Sequence, residues 1–267
     1  MNHSLIGLLT DFGHKDTYVG LMKCVMTDIS PEARLVDLCH EVPPQNILSA
    51  AYLADTAIPH LPDGSVLMAV IDPGVGTGRR AIAVEVDSNF LVGPDNGLFE
   101  LALRHRTAET VVALESEEYF RSEVSSTFHG RDIFAPVAAH LADGVDIEEL
   151  GPAVDAEQLE ALPSSDPFFR DNRIEAHVIH IDRFGNLITN LSREEMEQWL
   201  DGTEPTITVE GEDSPVDLKS TFGESAGGRP LAYFGSTGQL EIAVSNGNAE
   251  RYFGAHQGTT VFVESTG

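Results

Sequence analysis

The sequence predicts an α/β domain with a largely parallel sheet, followed by a small all-β domain. Three observations carry that prediction. Over residues 1–150, near-continuous apolar runs alternate with segments of helical spacing, the pattern of a sheet covered on both faces. A stretch rich in Pro, Ser, Asp and Asn, "LPSSDPFFRDN" at 162–172, then breaks the rhythm and reads as a linker. Beyond it the apolar runs are short and strand-like. The resulting domains are 1–163 and 173–267, and a hydrophobic fraction of 42% is enough for a core in each.

Taken in order, "LIGLLTD" reads as a buried strand and "TYVGLMKCVMTDI" as a helix. "ARLVDLC" is the next strand and "NILSAAYLADTAIPHL" the next helix. "SVLMAVID" and "RAIAVEV" are strands flanking the loop "VIDPGVGTGRR" at 70–80. "NFLVGPD" is a strand, "GLFELALRH" a helix, and "DIFAPVAAHLADG" a helix stopped at Gly144. After the linker, "IEAHVIHID", "PTITVE", "PLAYFG", "QLEIAV" and "TTVFVE" are short strands of a barrel or sandwich. One helix intrudes, "SREEMEQWL", where Ser192 and Glu195 have capping-box spacing.

Charge excludes some functions. Asp and Glu number 43 against 16 Lys and Arg, a net charge of −27, and Lys15, Lys23 and Lys219 are the only lysines. Such a surface repels nucleic acid. Scattered acids with few lysines suggest adaptation to high salt, where screening relieves self-repulsion; an ordinary acidic cytosolic protein is the alternative. No apolar run reaches the ~18 residues of a membrane span. The N-terminus lacks the basic region and cleavage site of a signal peptide. A cytoplasmic location is expected, with Cys24 and Cys39 as buried free thiols.

Chemistry gathers at strand ends. Asp11, Asp72, Asp95 and Asp182 each close a strand-like run and are followed by Gly13, Gly74, Gly97 and Gly185. Ligands of open α/β sheets bind beyond the carboxyl ends of the strands, so three of these ends could share one crevice; turn or helix capping is the bland alternative. The 70–80 loop lacks both the Gly-Lys-Ser/Thr of a phosphate loop and the dinucleotide fingerprint. Carboxylates suit a ribose diol or an ammonium better. Asp72, Arg79 and His129 would supply an acidic, a basic and a tunable group. Arg131 and Asp132 read as a structural ion pair or helix cap. His14, Asp16, His40, Asp72 and His129 are metal-ligand types, but their spacing matches no metal motif, so no metal is expected.

Seven ordered stretches, "LLTDFGHKDTYVG", "DLCHEVPPQNI", "VIDPGVGTGRR", "GPDNGLF", "TFHGRDIF", "IDRFGNLITN" and "STGQLEIAVSNGNA", together resemble the S-adenosyl-L-methionine (SAM) hydroxide adenosyltransferases. These adenosine-forming SAM hydrolases are relatives of the fluorinating and chlorinating enzymes. The resemblance implies an N-terminal α/β sandwich and a C-terminal β-barrel. It implies hydrolysis of SAM to adenosine and L-methionine by water or hydroxide at ribose C5′, without a cofactor. It also implies a homotrimer with the SAM site at the subunit interface. Carried over by motif, Asp72, Arg79 and His129 are catalytic. Asp11 grips the ribose diol, and Asp16 and Asp182 surround the methionine ammonium. Phe184 stacks on adenine and Asn186 hydrogen-bonds to it. Tyr233, Ser236, Glu241 and Val244 form the C-terminal wall.

Departures from the halogenating relatives matter. Those carry tyrosine at the Asp72 position, serine at the Gly130 position and tryptophan at the Gln45 position. A desolvated halide beside the Asp72 carboxylate is a costly like-charge contact, which argues against halogenation. A non-catalytic SAM- or adenosine-binding protein is the main rival, since Asp11, Asp182 and Asn186 serve either role. A metal-dependent hydrolase is a third class.

Overall fold

The computed structural model describes residues 4–162, 166–221 and 227–266, in two compact units, Met1–Leu162 and Pro163–Gly267. The first unit runs β1 (Leu5–Thr10), α1 (Tyr18–Ile29), β2 (Arg34–Cys39), α2 (Ile47–Ala57), β3 (Val66–Val70), β4 (Ala81–Val86), β5 (Asn89–Pro94), α3 (Glu100–Arg104), β6 (Ala108–Ala113) and α4 (Ala135–Ala142). Its sheet has the order β2-β1-β3-β5-β4-β6. The four strands β2, β1, β3 and β5 are parallel, and β4 is antiparallel to both β5 and β6.

Strand alternation explains the apolar runs. Ile6, Leu8 and Met68 face one core with Met22, Met26, Phe134 and Ala138. Leu9, Leu67 and Ala69 face the other with Ala50, Ala54 and Leu91. Both faces are covered, so successive residues are all apolar. β2 departs from the covered-sheet expectation. It is an edge strand, and Val36 and Leu38 remain exposed. The thiols depart too: both are free, but Cys24 lies exposed on α1 and Cys39 is half-buried at the end of β2. β6 opens on the polar "AET", which hid it from the apolar pattern. α3 is only one turn and a half, and α4 is preceded by a π-turn over Gly130–Phe134.

The second unit runs β7 (Phe168–Phe169), β8 (Arg173–Ile181), β9 (Leu187–Ser192), α5 (Arg193–Leu200), β10 (Glu204–Val209), β11 (Pro230–Phe234), β12 (Gln239–Val244), α6 (Ala249–Phe253) and β13 (Thr260–Thr266). The expected linker lies partly at 163–165, outside the described residues, and its later part forms β7 on β8. The antiparallel order is β10-β13-β8-β9-β12-β11. The open edges β10 and β11 are bridged by the segment 216–219. Val216 N–H donates to the Ile207 carbonyl at 2.7 Å, Ala232 N–H to that of Asp217 at 2.9 Å, and Lys219 N–H to that of Ala232 at 2.8 Å. This nearly closes a barrel around Ile174, Leu191, Leu240, Ile242 and Val261. β9 was hidden by its polar members. Asn190 is buried because its side chain accepts the His177 N–H at 2.7 Å. The capping box of α5 is present, with Ser192 and Glu195 bonded reciprocally. Among the described residues, no helix is long and apolar enough to cross a membrane, and no group of His, Cys, Asp and Glu could hold a metal ion.

Candidate active site

β1, β3 and β5 are adjacent and parallel, so their carboxyl ends share one edge of the sheet. Asp11, Asp72 and Asp95 leave from that edge. After Asp72 the chain makes two tight turns, closed by Val75 N–H to the Asp72 carbonyl at 3.2 Å and Thr77 N–H to the Gly74 carbonyl at 3.1 Å. Gly76 sits between them with φ +74°, and a Cβ there would lie 2.4 Å from the Ser126 carbonyl oxygen. Only glycine lets this loop rest against the segment that carries His129.

Asp72, Arg79 and His129 meet in one hydrogen-bonded line. Arg79 donates from Nε to Asp72 Oδ1 at 2.9 Å and from Nη2 to Asp72 Oδ2, a bidentate pair. Arg79 Nη2 also contacts His129 Nδ1 at 2.9 Å. The Arg79 and Asp72 side chains are 11% and 6% exposed. The guanidinium lies over the fully buried Phe134 ring, 5.3 Å from its centroid, which fixes its plane. Phe134 ends the π-turn, a local geometry common at functional sites. A guanidinium has no acceptor, so His129 Nδ1 must accept. The proton of the neutral ring is therefore on Nε2. Burial, then the charge of Arg79, holds His129 below its ordinary 6.5, against the pull of Asp72 and Asp132.

Asp132 fixes the segment that carries His129. Its fully buried carboxylate accepts from Arg131 Nε at 2.6 Å and from Ser125 N–H at 2.9 Å, the expected structural pair. Burial raises its carboxyl, but the bonds from Arg131 and Ser125 outweigh that and leave it low.

Arg80, the next residue, turns elsewhere. It pairs with Asp95, Nε to Oδ2 at 2.7 Å, and donates to the Gln158 carbonyl. Asp95 also accepts Glu160 N–H at 2.8 Å. An open pocket of about 380 Å³ is lined by both arginines with Asp95, Asn96 and Glu160. Asp11 is half-buried, and its Oδ2 accepts the N–H of Gln45 at 2.7 Å. Asp16 lies exposed on the loop between β1 and α1.

In the second unit, Asp182 ends β8 and organises its own turn. Its Oδ1 accepts the N–H groups of Phe184 and Asn186, each at 2.8 Å, and its Oδ2 accepts the Asn186 side-chain amide at 2.8 Å. Gly185 turns with φ +82° against Asn248, too close for any Cβ. The turn leaves the Phe184 ring 74% exposed while Asn186 is buried. An aromatic ring held outward in this way is a stacking surface. Tyr233 donates to Glu241 across the β11–β12 pair. Burial pushes the Glu241 carboxyl up, the Tyr233 bond opposes this, and the charge of Asp182 adds to it. Ser236 is exposed at the hairpin turn. Val244 has the opposite parity to Glu241 along β12, and its side chain packs in the barrel core. It cannot share a side-chain wall with Tyr233 and Glu241.

Sequence reasoning missed Phe134, whose place under Arg79 depends on the π-turn, and the role of Asp182 in its own loop. The latter was readable in principle, since Asp followed by Phe-Gly-Asn has the composition of a side-chain-closed turn.

Comparison with known proteins adds a family. The SAM hydroxide adenosyltransferase N-terminal domain profile matches residues 6–151, and the C-terminal domain profile matches 176–262. The chain is 42% identical to the (R)-S-adenosyl-L-methionine hydrolase of Thermus thermophilus, covering 95% of this chain and 96% of that one. It is 38% identical to the protein of the same name from Salinispora tropica, covering 95% of each. A fluorinase of Nocardia brasiliensis is more distant, at 27% over 90% of this chain and 89% of its own. Among solved structures, an uncharacterized conserved protein of Thermotoga maritima superposes with a TM-score of 0.89 at 33% identity, covering 97% of this chain and 99% of that one.

Proposed function

The chain belongs to the SAM hydroxide adenosyltransferase family, and from that premise we propose how it hydrolyses SAM to adenosine and L-methionine. The observation that carries the proposal is the Asp72–Arg79–His129 line. The C5′–S bond breaks with its electron pair going to sulfur, so the sulfonium leaves as a neutral thioether and needs no general acid. A C5′–O bond forms from water, whose proton passes to solvent. The protein must hold that oxygen in line with C5′–S. With Nδ1 engaged by Arg79, neutral His129 offers Nε2–H. It holds the nucleophile by donating and does not take its proton. Asp72 neutralises Arg79 and locks its plane. Attack of a hydroxide-like oxygen on a sulfonium cancels charge, which a water-poor site favours.

Asp11 takes the ribose diol, and Asp16 and Asp182 face the methionine ammonium. Phe184 and Asn186 take adenine, with Tyr233, Ser236, Glu241 and the backbone at Val244 as the wall. In this reading Asp72, Arg79 and His129 belong to the domain 1–163, and Asp182, Phe184 and Asn186 to the domain 173–267. The names of the relatives specify the (R) sulfonium epimer, and we assign the same preference here. The test is incubation of the purified protein with each sulfonium epimer, followed by chromatography for adenosine and methionine. Turnover of the (R) epimer is expected. Binding without turnover would favour the non-catalytic rival, and loss of turnover with a chelator would favour a metal hydrolase. Halogenation is disfavoured by the Asp72 carboxylate.

The assembly we propose is a homotrimer in the cytoplasm of a salt-adapted cell, with the SAM site at the subunit interface. Exposed apolar side chains on the first unit, Tyr18, Leu21, Val36 and Leu38 at 37–47%, support an assembly. The charge of −27 per chain supports the salt requirement. Screening lengths run from ~30 Å at 0.01 M to ~3 Å at 1 M salt. Trimer and activity should therefore be lost together on desalting, followed by light scattering and turnover over one salt series. A fully active trimer in 10 mM buffer would defeat the salt adaptation alone.

A further inference from the structure

A second histidine lies behind the site and takes no part in the chemistry above. His40 is 1% exposed, just past the end of β2. Its Nδ1 is 2.8 Å from the hydroxyl of Thr10, itself fully buried at the end of β1. Its Nε2 is 2.9 Å from Asp37 Oδ1, and Asp37 Oδ2 accepts from Lys23 Nζ at 2.7 Å. Facing a carboxylate, Nε2 carries the hydrogen. In the neutral ring Nδ1 therefore accepts from the Thr10 hydroxyl. The Thr10 oxygen in turn accepts the N–H of Phe12 at 3.3 Å. The His40 carbonyl accepts the N–H of Gly13 at 2.7 Å.

The register of the sheet makes this possible. β1 and β2 pair Leu8 with Asp37 but Leu9 with Cys39, an irregularity that advances β2 by one residue. Thr10 then lies alongside His40. The T-shaped contact of the His14 ring, 5.1 Å from that of His40, packs the other side of the same loop.

We propose that His40 is a positioning residue for Asp11: through Thr10, Phe12 and Gly13 it fixes the loop on both sides of the carboxylate that takes the ribose. The chain of bonds Lys23–Asp37–His40–Thr10 anchors that loop to β2 and α1. Burial raises the Asp37 carboxyl, but the hydrogen bonds from Lys23 and His40 and the charge of Lys23 oppose it, and the carboxyl is held low as the anchor. The proposal rests on the reading of Asp11 as the ribose ligand.

The experiment measures adenosine affinity by calorimetry, and KM and kcat for SAM, in Thr10→Val, Thr10→Ser, His40→Phe and Asp11→Ala. Thr10→Val keeps the shape and removes the hydroxyl. It and His40→Phe should each weaken adenosine binding and raise KM by about tenfold with a smaller change in kcat. Thr10→Ser, which keeps the hydroxyl, should restore most of the affinity. His40→Phe disturbs a buried site, so the Val and Ser pair at Thr10 carries the decision if it fails to fold. If Asp11→Ala loses adenosine while Thr10→Val binds it like the wild type, the positioning role is overturned and the ribose reading stands. If Asp11→Ala also binds normally, both fall. Equal weakening by Val and Ser at Thr10 would likewise overturn the role of the hydroxyl.

Discussion

The first unit contains two aspartate–arginine pairs built from consecutive arginines and neighbouring strand ends, and they differ in what else they touch. Asp72 and Arg79 pair bidentately and reach His129. Asp95 and Arg80 meet through a single carboxylate oxygen, Oδ2, which faces both Nε and Nη2, and they reach the chain at Gln158 and Glu160. Both carboxylates are nearly inaccessible, at 6% and 2% exposure of the side chain. Burial and ion pairing alone therefore do not distinguish the proposed reaction centre from the other pair. The third partner does: an imidazole with a free N–H in one case, backbone groups of a returning segment in the other.

The largest expected effect separates the two arginines. Arg79→Ala removes the donor to His129 Nδ1 and leaves Asp72 buried without its cation. Removing one oriented polar group at a reaction centre commonly costs about a hundredfold or more in kcat, and that is expected here. Arg80→Ala should leave kcat within severalfold of the wild type. His129→Ala and Asp72→Ala should resemble Arg79→Ala, and combining them should add little, since the three act as one unit. Equal loss of turnover in Arg79→Ala and Arg80→Ala would erase the distinction.

The next effect runs the other way. Arg80→Ala leaves Asp95 with the Glu160 N–H but no cation, and cuts the tie to Gln158. Arg80 is one-third exposed, so screening limits the loss to about 1–3 kcal/mol. At roughly 2–4 °C per kcal/mol this lowers Tm by several degrees. Calorimetry of Arg80→Ala against Arg79→Ala checks it. A Tm for Arg80→Ala equal to the wild type would show that Asp95 does not brace the segment.

Much of this was legible beforehand, for identifiable reasons. The alternation of Leu8 and Leu9, or Leu67 and Met68, between two cores is what made the first domain read as a covered parallel sheet. Strand-end aspartates marked the edge where Asp11, Asp72 and Asp95 emerge. The resemblance alone gave Arg79 the catalytic place; nothing local in the sequence says which arginine turns to which aspartate. The contacts at stake are distant in sequence: His129 lies fifty positions from Arg79, and Gly76 rests the loop against Ser126, also fifty positions away. Val244 lies on the opposite face of β12 from Glu241, because a strand sends alternate side chains to opposite faces, so its proposed place in the wall rests on its backbone. Cys24 misled because apolar neighbours in a helix do not share one face.

The smallest effect is a shift along the pH axis, and it bears only on the pair that has a titrating partner. Burial and Arg79 hold His129 below 6.5, so its neutral form persists to lower pH than in a free imidazole. When it does protonate, Nδ1 gains a hydrogen facing Arg79 and the hydrogen bond becomes a repulsion. kcat/KM should therefore fall on the acid side with an inflection below 6.5, as one proton is taken up by the free enzyme. Stability follows the same direction: between the folded value and 6.5 the unfolded chain binds more protons, so stability is lost as pH falls through that interval. His140 and His180 are lowered as well, both chiefly by burial, and Glu241 is raised, so the melting profile mixes several groups and the rate profile is read against His129→Gln. His129→Gln, which cannot titrate, should retain a low activity that no longer shows that acid inflection. Arg80→Ala should keep the wild-type inflection unchanged, because Asp95 and Arg80 have no imidazole between them. An inflection above 6.5 in the wild type, or one that survives in His129→Gln, would mean that another group sets the acid limit and that the third partner of Arg79 is not what separates the two pairs.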